Sequence, residues 1–387
     1  IAKDDLAKLE GARYRHPFIP EPKAENDFKV WFADYVTLEQ GTGLVHTAPG
    51  HGVDDYKTGM RVGLDVYAPV DNAGRFTDEV PNWAGLKTTE ANPKIVEYLH
   101  EQGVLLNKVG ESISHSYPHC WRCKGPVLFR ATDQWFISVD HANLRDKALE
   151  EIDKTQWVPP WGRNRIYAMI ENRPDWVLSR QRLWGVPIPA FYCNGCGEVH
   201  AEASTMDFVA ELFKEKGADA WYELPAAELM PSGTTCSGCG GNDFEAEQAI
   251  VDVWFESGVS WLAVAQEREE LGEVDLYLEG SDQHRGWFHS SLLAGIGVAG
   301  KAPYKTVLTH GFVLDENGKP YSKSAIEKAR REGKKVKYIP PEDILAKYGA
   351  ELFRLWVAST EFRNDIPYSE ELFKGLTDWY RKFRNTS

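Results

Sequence analysis

The chain has 387 residues, enough for two or three domains at about 150 residues each, and its 42% hydrophobic content with 14 Trp, 16 Tyr and 17 Phe excludes disorder as the dominant state. Basic side chains number 44 against 58 acidic ones, a formal net charge of -14, which excludes a chain-wide basic field for nucleic acid and leaves only local patches for such contacts. No apolar run approaches the roughly 18 residues of a membrane span, and the opening IAKDDLAKLE lacks the basic start and apolar middle of a signal peptide, so no membrane partner is expected.

In chain order, the first residue is Ile1 rather than Met, which reads as a cut inside a longer chain. Residues 1–110 read as mixed α/β with many turns. DFKVWFADYVTLEQGTGLVHTAPG has the pattern of strand, Gly-rich turn and strand, and NPKIVEYLHEQG that of a short helix stopping at Gly103. Residues 111–185 carry short strands in PVLFRA and QWFISV and a helix from His141 to Lys154, broken by the Pro-rich bend VPPWGRNR. Residues 186–245 hold two Cys-x-x-Cys knuckles around the helix TMDFVAELFKEKG.

In residues 246–330, EVDLYLEG is a strand ending at Glu279-Gly280, SDQHRGWFHSSLLAGIGVAG a helix with Ser281 as N-cap, and KTVLTHG a second strand ending at His310-Gly311. This spacing predicts a right-handed βαβ unit with parallel strands, whose C-terminal edge binds ligands. Glu279, Asp282, Gln283 and His310 are then expected to meet around one crevice. The apolar run LLAGIGVAG faces the sheet as core. Lys323 to Lys337 is rich in Lys and Arg, and reads either as a nucleic-acid patch or as a solvated helix face. IPPEDILAKYGAELFRLWVAS is a helix opened by Pro-Pro, with Ile344, Leu345, Tyr348, Leu352, Leu355 and Trp356 as its core stripe. The closing DWYRKFRNTS is an uncapped helix, which reads as a second cut.

All six Cys fall in Cys-x-x-Cys pairs. A two-residue gap lets both thiolates of a knuckle reach one tetrahedral ion, and four thiolates suit the charge and polarisability of Zn2+. Cys193, Cys196, Cys236 and Cys239 therefore predict a zinc ribbon, the alternatives being a redox pair or reduced structural thiols. Cys120 and Cys123 supply half a site, completed either by His115 and His119 or by a pair upstream of Ile1. In THGFVLDENGKPYSKS a tight turn precedes Lys319, Lys323 and two serines, a set suited to polyphosphate.

Taken together, GTGLVHTAPGHGVDDY, ENRPDWVLSRQRLWGVPIP, DVWFESGVSW, YLEGSDQHRGWFHSS and HGFVLDENGKPYSKS make the chain resemble the isoleucyl-tRNA synthetases, class I enzymes with a Rossmann-type catalytic core. The valine and leucine enzymes share the architecture, and the valine enzyme is the alternative within the class. A non-enzymatic zinc-ribbon nucleic-acid binder is the alternative outside it. The fold class implied is α/β: a Rossmann-type parallel sheet in the second half, an inserted mixed α/β editing domain, a zinc-ribbon insertion and a C-terminal helical connector. The resemblance assigns 1–110 to the editing domain, 111–185 to the return to the catalytic core and 186–245 to the zinc ribbon. It assigns 246–330 to the catalytic half with the phosphate loop, 331–378 to the connector and 379–387 to the start of an anticodon-binding helical domain.

The activity implied is ligation of isoleucine to tRNA(Ile) through an adenylate, with ATP, Mg2+ and L-isoleucine as partners, in a cytoplasmic protein that is monomeric at full length. By similarity Glu279, Gly280, Asp282, Gln283, Trp287 and His310 line the amino-acid and adenylate site, with Trp287 as an apolar wall; alone, it would read as a core residue. The family's phosphate loop reads Lys-Met-Ser-Lys-Ser; here the five positions are Pro320, Tyr321, Ser322, Lys323 and Ser324. Lys323 is then the cation on the phosphates, flanked by Ser322 and Ser324. Lys319 stands in for the first lysine, and Pro320 restricts loop closure.

One methylene gives a pocket only about 1–3 kcal/mol, and this family's handling of isoleucine against valine is itself the standard case of that limit. A hydrolytic site must therefore remove misattached valine. By similarity Asp55 holds its ammonium with His46 alongside; without the resemblance Asp54-Asp55 reads as a turn. Arg180, Arg182 and Trp184 border the crevice and the tRNA acceptor end, Arg180 either contacting phosphate or pairing with Asp252 or Glu256. The family's His-Ile-Gly-His signature is absent from the sequence, so this piece alone is expected not to form adenylate.

Overall fold

The structure is a computed structural model that describes residues 8–37, 39, 42–112, 114–120, 123–182, 184–268, 272–315, 318–320, 326–327, 330–333, 340–368 and 370–386. The chain divides into two compact units, Ile1–Asp133 and Gln134–Ser387. Residues 111–133 thus group with the first unit and not with the segment after it. Backbone and side-chain bonds show why: Ala131 N–H donates to Gly50 O (2.7 Å), Arg130 Nη1 to Val70 O (2.7 Å), and His51 Nδ1 meets Phe129 O (2.8 Å).

The first unit holds helix α1 (Val53–Val62) and helix α2 (Thr88–Glu101). Asp54 and Asp55 lie in the first turn of α1, where carboxylates favour the helix dipole. Helix α2 starts before the stretch expected from its sequence, because Glu90 reaches back to accept the Lys87 N–H (3.1 Å) and so fixes the first turn. Its packing partners are aromatic: Phe18 meets Trp83 edge-on at 4.9 Å, and Trp83 meets Tyr98 at 5.8 Å. The strand–turn–strand expected over residues 27–50 does not form. Among the described residues of that stretch ladder pairing is confined to Phe28–Val30, where Lys29 bridges Arg13, Tyr14 N–H donates to Phe28 O and Val30 N–H donates to Ala12 O.

The second unit is built on a three-stranded sheet. Strand β1 (Phe136–Ile137) pairs apart from it with β3 (Trp176–Val177). Helix α3 (Leu144–Lys154) leads into β2 (Gln156–Val158), and helix α4 (Trp161–Glu171) follows. The helix expected from His141 to Lys154 does end at Lys154, but VPPWGRNR is not a bend: Val158 closes β2 and Pro160 opens α4, since proline suits a helix start. PVLFRA contributes only the His119↔Pro126 bridge. Arg145 closes α4 at its far end by donating to Ile170 O, Glu171 O and Arg173 O.

After β3 come β4 (Ser179–Arg180), β5 (Phe191–Cys193), β6 (Val199–His200), helix α5 (Ala203–Lys216), β7 (Phe244–Ala246), β8 (Ile250–Val251) and helix α6 (Val253–Gly258). Strands β6, β5 and β7 form a small antiparallel sheet in that order, around Phe191, Val209, Trp221 and Leu229. β4 pairs with β8.

The main sheet has the order β2–β10–β9, with β9 (Val274–Gly280) and β10 (Tyr304–His310) parallel and β2 parallel to β10. Helix α7 (Trp287–Ala299) joins β9 to β10. Its Phe288, Leu292, Leu293 and Ile296 pack on Tyr277, Tyr304 and Val307. Each such side chain contributes about 1.5–3 kcal/mol by leaving water. The single helix expected from Ser281 is in fact two pieces. A 3-10 turn, Ser281–Arg285, ends at Gly286 (φ -119, ψ -114), and α7 begins after it. Ser281 does not cap; the Gln283 side chain accepts the Trp287 N–H (2.9 Å).

Strand β11 (Val313–Leu314) pairs in parallel with β12 (Ile366–Pro367). Between them helix α8 (Pro341–Tyr348) and helix α9 (Ala350–Ser359) replace the one helix expected, divided at Gly349 (φ 81, ψ 163). Ile344, Trp356, Tyr368 and Phe373 form their shared core, whereas Leu345 is 41% exposed and lies off the buried stripe. Helix α10 (Glu370–Thr386) ends the chain. The basic segment from Lys323 to Lys337 lies largely outside the described residues. No helix among the described residues is long and apolar enough to cross a membrane.

Candidate functional site

Because β2, β9 and β10 run parallel, their C-terminal ends open on one edge, where a doubly wound sheet takes its ligands. The register pairs His310 with Gly280 and Thr309 with Glu279. A Cβ built on Gly280 would lie 2.8 Å from Asp282 Oδ1 and 3.5 Å from His310 Cε1, so Gly280, Asp282 and His310 form one cradle that a side chain at 280 would narrow. Glu279 is exposed and shares its side with Thr309. Side chains alternate along a strand, so its carboxylate and the His310 ring start from opposite faces of the ladder. The register and the Gly280 neighbours bring Gly280, Asp282 and His310 together, with Glu279 one residue earlier at the same strand end.

His310 Nδ1 lies 2.8 Å from Gly311 O. A carbonyl only accepts, so Nδ1 carries a proton and the neutral ring presents Nε2 as an acceptor. Donation from Nε2 to a phosphate or ribose oxygen requires the imidazolium. The Gln283 amide is occupied at both ends: Nε2 donates to Asp282 Oδ2 (3.1 Å) and Oε1 accepts from Trp287 N. Gln283 thus fixes its neighbours in place.

Trp287 stacks on Tyr277 at 3.8 Å and 11°, and its Nε1 donates to Ser257 O (2.9 Å). A Cβ on Gly286 would meet Gln283 Oε1 at 2.5 Å and the Trp254 ring at 2.9 Å. Trp254 therefore packs against the Gly286 turn, a contact that sequence reading did not single out, although its segment DVWFESG was in view. His284 and His289 are buried. Burial, with Arg173 and Arg285 nearby, pushes His289 down to about 3, and burial also lowers His284; both are neutral core rings.

Lys319 is exposed in a tight turn in which its N–H donates to Asp315 Oδ1 (2.8 Å). Ser322, Lys323 and Ser324 lie outside the described residues. Arg180 pairs with Asp252 (2.8 Å), one of the two carboxylates expected for it, and its side chain stays 38% exposed. Asp252 is 3% exposed; it also accepts from Trp176 Nε1 (3.0 Å) and caps α6 through the Trp254 N–H (3.2 Å). Arg182 is exposed, and Trp184 is 94% exposed.

The second centre is sulfur. The Sγ atoms of Cys193, Cys196, Cys236 and Cys239 all lie within 4.8 Å of one another. Each knuckle closes the same way: Cys193 N–H donates to Glu198 O and Gly197 N–H to Cys193 O, as Cys236 N–H does to Gly241 O and Gly240 N–H to Cys236 O. The backbone N–H groups of Cys239 and Gly238 draw the Cys236 thiol down to about 7 despite its burial. The N–H of Glu198 acts the same way on Cys196, but the three neighbouring sulfurs override it and push that thiol up to about 12. Four sulfurs so close therefore cannot all ionise unless a cation neutralises them, and the set fits a soft tetrahedral ion.

Cys120 repeats the knuckle, with its N–H donating to Gly125 O (2.8 Å) and Lys124 N–H to Cys120 O (2.9 Å). Lys124 takes φ 62, where Gly197 and Gly240 take 77 and 74. His119 Nδ1 is held at Lys124 O and His115 Nδ1 at Ser116 O. Among the described residues neither gathers with Cys120 and Cys123 into a set of three or more metal-binding side chains.

In the first unit, Asp55 and His46 are both exposed, and no hydrogen bond joins them. Asp54 pairs with Lys57 at 3.9 Å. His16, missed in the sequence, accepts at Nδ1 from Phe18 N–H (3.2 Å) and Ile19 N–H (3.0 Å), which leaves its proton on Nε2; burial and then His46 lower its pKa.

Residues 19–369 match the family described as tRNA synthetases class I (I, L, M and V). Isoleucine--tRNA ligase of Syntrophotalea carbinolica is 54% identical over 374 residues, covering 96% of this chain and 38% of that protein. The same enzyme of Geobacter sulfurreducens is 53% identical over 375 residues, covering 97% and 39%. The chain thus spans about two fifths of the curated relatives it matches. Among solved structures, methionyl-tRNA synthetase of Mycobacterium tuberculosis bound by methionyl-adenylate aligns with a TM-score of 0.42 and 16% identity over 66% of this chain and 39% of that one.

Proposed function

The chain belongs to the class I tRNA synthetases of the I, L, M and V group, and on that premise we propose that it works within an isoleucine--tRNA ligase, contributing the second half of the catalytic fold. The 54% identity to an isoleucine--tRNA ligase along 96% of this chain carries the choice of amino acid. The isoleucine carboxylate attacks the α-phosphate of ATP, the bond to pyrophosphate breaks, and a terminal ribose hydroxyl of tRNA(Ile) then displaces AMP from the adenylate.

The side chains divide this work. Glu279, exposed at the strand end, holds the substrate ammonium. The missing side chain of Gly280 lets the adenylate lie against the backbone beside Asp282 and His310. Trp287 walls the hydrocarbon pocket, with Gln283 fixing its backbone. His310 accepts a ribose hydroxyl at Nε2 when neutral. Lys323, Ser322, Ser324 and Lys319 receive the phosphates, and Mg2+ enters with ATP.

Cys193, Cys196, Cys236 and Cys239 hold Zn2+, a structural ion that fixes the ribbon and takes no part in the chemistry. Cys120 and Cys123 are half of a second metal knuckle. In the first unit, Asp55 and His46 serve hydrolysis of misacylated valyl-tRNA(Ile), Asp55 binding the free ammonium. We place the enzyme in the cytoplasm as a monomer.

The test is ATP–pyrophosphate exchange by the full-length protein containing this chain. Exchange should depend on isoleucine and be weaker with valine by about 100-fold. Preference for valine would transfer the assignment to the valine enzyme, and the lack of exchange with any amino acid would end it.

A further inference from the structure

The pocket wall Trp287 rests on a support of its own. Tyr277 is 2% exposed, in the middle of β9, and its ring lies flat under the Trp287 indole at 3.8 Å. On its other side Tyr304 packs at 4.8 Å and is itself fixed by a hydrogen bond to Phe288 O (2.9 Å). The indole is held at its edge by Ser257 O and by Ser260 Oγ (3.4 Å). Tyr277 is clamped between two rings, so the plane of Trp287 is set by a residue that does not itself reach the crevice edge.

Register explains the choice of position. Tyr277 pairs with Val307, deep in the ladder, while Gly280 and His310 stand three residues on at its end. The aromatic pair therefore ties the pocket wall to the sheet whose edge carries the adenylate cradle. The near-parallel stack at this separation holds one indole tilt against its neighbours.

We propose that Tyr277 is a positioning residue for amino-acid selection, its ring fixing the tilt of Trp287 and hence the depth of the hydrocarbon pocket. This rests on the reading of Trp287 as the pocket wall. A pocket that separates isoleucine from valine by one methylene tolerates little movement of that wall, and its backing is as decisive as its surface. The face of the Tyr277 ring, lying nearly parallel to the indole, does the positioning.

The experiment uses the full-length enzyme with Tyr277→Leu, Tyr277→Phe and Trp287→Ala, and reads KM for isoleucine, valine and ATP separately in pyrophosphate exchange. Tyr277→Leu should raise the isoleucine KM about 10-fold, leave the ATP KM within about 2-fold, and narrow the isoleucine-to-valine ratio of kcat/KM about 10-fold. Tyr277→Phe should match wild type within about 2-fold. An unchanged ratio in Tyr277→Leu, or equal damage in Tyr277→Phe, overturns the proposal. If Trp287→Ala also leaves the isoleucine KM unchanged, the pocket reading fails as well; if it raises that KM while Tyr277→Leu does not, only the positioning role fails. Should Tyr277→Leu not fold, Tyr277→Met, which keeps an apolar side chain of similar reach, takes its place with the same expected outcomes.

Discussion

Gly280 and His310 stand side by side across the parallel β9–β10 ladder, and the space where a Cβ of residue 280 would sit is bounded by the imidazole Cε1 at 3.5 Å and by Asp282 Oδ1 at 2.8 Å. The cradle is made by what is missing from one strand end and what projects from the other. Gly280→Ala should therefore cut adenylate formation in the full-length enzyme by about 100-fold or more, because a methyl group fills the approach a ligand needs. The unfolding temperature should move by only a few degrees. Full activity in this variant would show that the ligand does not pass over residue 280.

Asp252 ties three elements together: β3 through Trp176, β4 through Arg180, and the start of α6 through its own cap. Removing it leaves a buried indole N–H unpaired and Arg180 without its partner. Asp252→Ala should cost about 2–4 kcal/mol in urea unfolding, discounted from a fully buried pair because Arg180 is partly exposed. A loss under about 0.5 kcal/mol would mean the network is decorative.

Metal analysis tests the sulfur centre directly. The chain should carry one tightly held Zn2+ at the four cysteines, and Cys236→Ser should lose it along with stability to a chelator. Cys120→Ser should leave that ion in place, since Cys120 belongs to a different knuckle. Purified protein without zinc, equally stable with and without chelator, would leave the ribbon to its apolar core alone.

His289 gives a pH dependence whose sign follows from linkage. Its folded pKa is depressed to about 3, below the 6.5 of a free imidazole, so the unfolded chain takes up a proton that the folded chain refuses. Its contribution is full above about pH 6.5 and is lost as pH falls from there toward 3. Between pH 6.5 and 5 the wild type should lose about 2 kcal/mol relative to His289→Phe, which has nothing to titrate. Parallel stability profiles of the two proteins across that range would refute this.

Much of the site was readable as text, and the parts that were not have physical causes. The ends of β9 and β10 follow from apolar alternation closed by Gly280 and Gly311, and the four-cysteine centre follows from spacing. The parity of Glu279 and His310 was hidden, because it depends on register between strands, which no single strand encodes. The division of the expected helix was equally hidden: it falls at Gly286, whose missing side chain leaves room for the Trp254 ring of another helix. Within residues 27–50 pairing is confined to Phe28–Val30 against Gly11–Tyr14, because periodicity does not report how far a run finds a ladder partner. The ion pair of Arg180 with Asp252 joins residues 72 positions apart, a separation no local pattern resolves.

The pairing of β9 with β10 also limits how this part of the chain can change length. One residue gained or lost between Tyr304 and His310 would turn the imidazole to the far side of the sheet and set a neighbour in its place. The turn from Asp315 to Lys319, lying past the ladder, is free of that arithmetic, so homologues should vary in length there and hold constant within the strand.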